Sequence, residues 1–355
     1  HTNVGTSVSG TTDNEISVDG DGDVANDVAT VSSNGVVSLE TAATDQVENI
    51  TLSGNSQSAT YTLTAGNAPE KVTFAGDQDV TLVMAALDAT TETFVNNLTG
   101  DATAAVRINA DDTADLSKVA TSIVIDIADG TTGGDTYSLA DNATVKVTAA
   151  TTTATLDSTV ATNGTTETLN LIIDDTGNQT TFDVSDFEVV NISGSDTSAT
   201  VAGDGIATIA TLTGAATTAF VASGSVNLTL GSTAATAKSI DASALTGKLV
   251  TTMSANSKIV TGGEGNDTIT GYAGNMTIDG KIEIENGGSF VISGGTAIDP
   301  VGGSNYELVI SGTGYFEVGG NVTFGDKMTL QDDGQVLIKG CDTLRVRGDA
   351  ILQNN

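Results

Sequence analysis

Short runs of alternating apolar and polar side chains, each closed by Gly, Asn or Asp, recur along most of this chain. Ile50-Thr-Leu52, Tyr61-Thr-Leu63, Val72-Thr-Phe74 and Val80-Thr-Leu82 set the pattern. It continues at residues 123–127, 145–147, 169–173, 189–192, 206–212 and 226–230. Alternation with a period of two marks strands buried on one face, and Thr suits the exposed face. Turn-forming residues recur about every ten positions. Helical periodicity is scarce: only residues 85–96 and 112–120 could each hold a short helix or turn.

Such a train of strands fits a β-solenoid or a row of β-sandwiches. Composition favours the solenoid. Apolar residues make up 38% of the chain but aromatics only 4%, and Trp is absent. Val, Ile, Leu and Ala spread among Thr, Ser and Gly suit thin stacked layers better than one thick core. The expected fold is therefore all-β, a parallel β-solenoid over most of residues 46–355.

Composition also divides the chain. Residues 1–45 form a polar N-terminal segment. Residues 46–275 form the Thr/Ala-rich solenoid. Beyond that the Thr and Ala runs stop, and 15 of the 41 glycines fall in the last 80 residues. Hydrophobic rungs continue there, centred on residues 276–278, 282–284, 290–292, 308–310, 316–318, 322–324, 328–330, 336–338 and 344–346. Residues 276–355 read as a Gly-rich, tighter β-helical segment.

With 45 acidic and 12 basic residues, the formal net charge is −33. A chain this acidic repels nucleic acid and anionic membrane surfaces, so neither is an expected partner. No apolar run approaches the roughly 20 residues of a membrane-spanning helix. The first residue is His1, which reads as a processed product or a fragment. One cysteine, Cys341, rules out an intrachain disulfide. The self-repulsion of so many carboxylates calls for cations, which bound calcium supplies economically; adaptation to high salt is the alternative reading.

Three stretches are candidate calcium sites. The first is Gly262-Gly-Glu-Gly-Asn-Asp-Thr-Ile-Thr270, which fits G-G-x-G-x-D-x-U-x at every position, U being a large apolar residue. Glycines let the backbone turn tightly and present carbonyl oxygens, while Asp267 adds a carboxylate. Gly263, Gly265, Asn266 and Asp267 are the expected ligand positions, and Ile269 anchors the turn in a short strand. One such unit offers too few oxygens for a shell of six to eight, so a neighbouring turn must complete it. The next nine residues keep Gly271, Gly274 and Ile278 but put Met276 where the second aspartate belongs. The second stretch, Gly130-Thr-Thr-Gly-Gly-Asp-Thr-Tyr-Ser138, departs only at its second glycine and offers Gly130, Gly133 and Asp135. The third is Asp19-Gly-Asp-Gly-Asp23. Alternate carboxylates at Asp19, Asp21 and Asp23 can converge on one cation. Val24 and Thr30 stand where an EF-hand needs Gly and Glu, so a solvated turn is the plainer reading.

Catalytic groups are hard to find. His1 is the only histidine, which leaves Cys341 without a His partner and nearly excludes a Ser-His-Asp triad. Zincin, P-loop and dinucleotide fingerprints are absent. The best enzymatic alternative is a calcium-dependent polysaccharide lyase on a β-helix, with Arg107, Arg345 or Arg347 as its base. The expectation is a protein that is not an enzyme.

The nonapeptide at 262–270 carries a resemblance. So do Ile240-Asp-Ala-Ser-Ala-Leu-Thr-Gly247, Glu167-Thr-Leu-Asn-Leu171 and Phe187-Glu-Val-Val-Asn-Ile-Ser193. Over about residues 45–275 the chain resembles the RTX-type bacterial surface-layer (S-layer) proteins exported by type I secretion. The resemblance implies a calcium-binding solenoid, located outside the cell at its surface, that self-assembles as a homo-oligomeric array, filament or sheath. A cell-surface polysaccharide is a further partner it admits. A calcium-dependent adhesin is the alternative, because it too uses long calcium-stiffened β structure.

Overall fold

A computed structural model describes residues 4–8, 14–18, 28–41, 49–65, 69–84, 93–109, 114–128, 134–148, 153–158, 166–174, 179–184, 186–196, 206–214, 218–233, 239–252, 259–261, 268–270, 281–284, 289–292, 296–298, 307–310, 315–318, 322–324, 327–331, 335–338, 344–346 and 350–353. Among these residues every regular element is a strand. The fold is all-β, built as a parallel β-solenoid, as the alternation predicts. The chain divides into two compact units, 1–148 with 155–163, and 149–154 with 164–355.

In the first unit consecutive strands go to different sheets. Val4–Val8, Val28–Ser33, Asn49–Gly54, Lys71–Gly76 and Thr93–Leu98 make a five-stranded sheet. The strands between them, Asn14–Val18, Val36–Thr41, Ala59–Ala65 and Val80–Met84, belong to a second sheet, followed there by Ala104–Ile108, Ile123–Ile127 and Ala143–Val147. Neighbours in a sheet are thus every second strand of the chain. The strand between them serves as the crossover that parallel pairing requires.

Register stacks like on like. Val37, Tyr61, Leu82, Val106, Ile125 and Val145 form one inward column. Leu39, Leu63, Met84, Ile108, Ile127 and Val147 form the next. All twelve are buried, so each contributes roughly 1.5–3 kcal/mol for the larger side chains. Tyr61 is fully buried, and its hydroxyl donates to Ser53 O at 2.7 Å and Val31 O at 3.2 Å. Burial pushes this hydroxyl well above the usual tyrosine value, which keeps it a donor. It ties one sheet to the backbone of the other across the core.

Residues 85–96 do not form a helix where they are described. Thr93–Leu98 is a strand paired in parallel with Lys71–Gly76, and Phe94 fills the inward slot next to Val72. Local helix propensity yields here to the burial of an aromatic side chain. Between 112 and 120, Ala114–Asp115 is a short strand and a turn follows, closed by Val119 N donating to Leu116 O at 3.0 Å. The five-stranded sheet ends at Thr93–Leu98. Along that edge Asn96 Nδ2 donates to Ser122 O at 2.9 Å, replacing part of the missing ladder.

In the second unit Thr168–Asp174, Val189–Ser195, Ala219–Gly224, Ser239–Leu245, Ile259–Thr261, Lys281–Ile284, Glu307–Ile310, Lys327–Gln331 and Ala350–Gln353 follow one another in one sheet. Gln179–Asp183, Ile206–Thr213, Asn227–Thr233, Leu249–Thr252, Thr268–Thr270, Ser289–Ile292, Tyr315–Val318 and Gln335–Ile338 do so in another. From Lys281 onward a third strand joins each turn, and Thr296–Ile298, Val322–Phe324 and Leu344–Val346 pair into a third sheet. The rung expected at 276–278 lies outside the described residues.

Thr251 is a polar residue on an inward column, in register between Leu230 and Ile269. It is 1% exposed, and its Oγ1 has no hydrogen-bond partner among the described residues. A buried hydroxyl without a partner costs about 1–3 kcal/mol. Thr251→Val keeps the shape and removes that cost. We expect the variant to be more stable by about 1 kcal/mol, read as a higher urea midpoint. A lower midpoint would contradict this account of Thr251.

Candidate functional site

The nonapeptide falls at a crossing between sheets. Ile259–Thr261 lies in one sheet of the second unit and Thr268–Thr270 in the other. Residues 262–267 join them. Gly263, Gly265, Asn266 and Asp267 lie outside the described residues. Ile269 occupies the middle of a three-residue strand, as the motif predicts.

Strand pairing fixes which connections correspond to this one. Ile259–Thr261 pairs with Ser239–Leu245 on one side and Lys281–Ile284 on the other. Thr268–Thr270 pairs with Leu249–Thr252 and Ser289–Ile292. The corresponding connections are therefore 246–248, Thr-Gly-Lys, and 285–288, Glu-Asn-Gly-Gly. Residues 271–280 run the other way, from Thr268–Thr270 back to Lys281–Ile284. Met276 lies in that stretch, outside the described residues.

Of the second stretch, Gly130 and Gly133 lie outside the described residues. Asp135 sits near the start of the strand Gly134–Leu139, on the same side as Tyr137 and Leu139, and is 5% exposed. Asp19, Asp21 and Asp23 also lie outside the described residues. Among the described residues no three His, Cys, Asp or Glu side chains come together as a metal would require.

Arg107, a candidate base on the lyase reading, is engaged in an ion pair. Its Nε donates to Asp126 Oδ2 at 2.7 Å, and Thr148 Oγ1 donates to Asp126 Oδ1 at 2.7 Å. Asp126 points to the outer face between buried Ile125 and Ile127, yet its side chain is only 6% exposed against 41% for Arg107. Lys146 follows Asp126 in register, giving a row of alternating charge across three strands. Arg345 lies in the strand Leu344–Val346, while Arg347 and Cys341 lie outside the described residues.

The sequence reading missed one feature, a pair of glutamates. Glu167 and Glu188 each precede a strand, and Thr168 is in register with Val189. Glu167 O accepts from both Glu188 N and Val189 N at 3.1 Å, and Glu167 N donates to Glu188 Oε2 at 3.0 Å. The signal was present in Glu167-Thr-Leu-Asn-Leu171 and Glu188-Val-Val-Asn-Ile192, one pattern repeated. The same offset brings Asn191 Nδ2 to Asn170 Oδ1 at 2.9 Å. The side-chain hydrogen bond to Glu167 raises the Glu188 carboxyl above its ordinary value, and desolvation adds to the shift.

A hydrogen bond between two carboxyl groups needs a proton, so this corner favours the protonated pair. The folded value of Glu188 is raised, so its contribution to stability is fully present below the unfolded value of about 4.5 and is lost as pH rises through the folded value. Glu188→Gln keeps an acceptor for Glu167 N and a donor for the Glu167 carboxylate without the charge. We expect the difference in melting temperature, variant minus wild type, to grow as pH rises above about 4.5. A difference independent of pH would refute the shared proton.

No protein-family model, no curated protein and no solved structure matches this chain, so the parallel β-solenoid is the level at which it is classified.

Proposed function

We propose that the chain is a non-enzymatic structural subunit of a calcium-stabilised extracellular surface layer, filament or sheath, exported by type I secretion. The observation that carries this reading is the position of the nonapeptide, at a crossing between two parallel sheets whose neighbouring turns stack in register. Such stacking repeats one outer surface along the ladder, which suits subunits that associate through repeated contacts. On this reading calcium is held by the Asp267 carboxylate with Asn266 and the carbonyls of Gly263 and Gly265. A neighbouring turn completes the shell, since one nonapeptide offers too few oxygens. Asp135 with Gly130 and Gly133, and Asp19, Asp21 and Asp23, stand as further calcium positions. A net charge of −33 makes the metal-free chain self-repelling, which couples cation binding to folding. A cell-surface polysaccharide is the proposed anchoring partner.

Electron microscopy of the purified protein with millimolar calcium and with chelator tests the assembly. Sheets or filaments in calcium that disperse in chelator are the expected result. Dispersed particles in both conditions refute assembly, and separate unassociated rods in calcium favour the adhesin. Calcium titration calorimetry on Asp267→Asn tests the site independently. We expect the variant to lose one binding event and part of the calcium-dependent rise in melting temperature that the wild type shows. Identical heats and identical melting in the two proteins would leave 262–267 as a plain turn.

A further inference from the structure

We draw no further inference here: the strongest candidate, the outer rows Thr30, Thr51, Thr73 and Ser32, Ser53 in register on the five-stranded sheet of the first unit, is a stripe of small hydroxyl side chains, and nothing in the structure shows what covers it.

Discussion

Gly231→Ala is expected to destabilise the protein by roughly 3 kcal/mol or more. The strand Ile206–Thr213 departs from plain alternation. Ala207 and Ile209 are buried, then Leu212, so one residue is inserted into the inward set. The pairing with Asn227–Thr233 runs Ile209 with Leu230 and then Thr211 with Ser232, which sets Ala210 against Gly231. A Cβ at Gly231 would run into the carbonyl oxygen of Ala210 and stand 3.0 Å from its Cα. These are backbone atoms, held by the ladder on both sides of the irregularity, so no side chain can swing away to make room. Gly134→Ala is the matched control, because a Cβ there meets nothing within 4 Å. Urea unfolding followed by circular dichroism at fixed calcium should show a large fall in midpoint for the first variant and almost none for the second. Equal midpoints would mean that the ladder can reopen around Ala210.

Removing the Arg107 charge is expected to cost about 1–3 kcal/mol. Asp126 is the nearly buried partner, so Arg107→Met takes the charged donor from the Asp126 carboxylate and leaves it the Thr148 hydroxyl. The exposure of Arg107 keeps the effect below that of a fully buried pair. Methionine retains much of the apolar stem, which lies in register beside Val83. Replacing both partners, with Arg107→Met and Asp126→Leu, should recover most of the loss, because an apolar pair leaves no charge stranded. A double-mutant cycle measures this directly. A coupling near zero would show that the pair does nothing for stability.

The sequence was most legible where side chains alternate without interruption. The expected strand at 123–127 coincides with Ile123–Ile127, and those at 322–324 and 344–346 coincide with Val322–Phe324 and Leu344–Val346. The inward residues of Ile50-Thr-Leu52, Val72-Thr-Phe74 and Val80-Thr-Leu82 are all buried. A strand with one apolar face has only one way to hide it, so local pattern decides the facing. Residues 93–96 were less legible because Thr93-Phe-Val-Asn-Asn97 has only Phe94 as an inward anchor, and alternation there is weak.

What the sequence by itself determined was the class of fold, the place of most strands and the side each turns to the core, because these follow from a period of two and from turn residues. It also predicted a short strand around Ile269, which Thr268–Thr270 forms. Which residues meet across turns was decided only by the tertiary structure. Arg107 reaches Asp126, and Glu167 meets Glu188, because the strands that carry them are in register, and alternation alone does not specify register between turns of unequal length. The need for glycine at 231 has the same origin. It comes from a neighbouring carbonyl at Ala210 that only the pairing of two strands brings close.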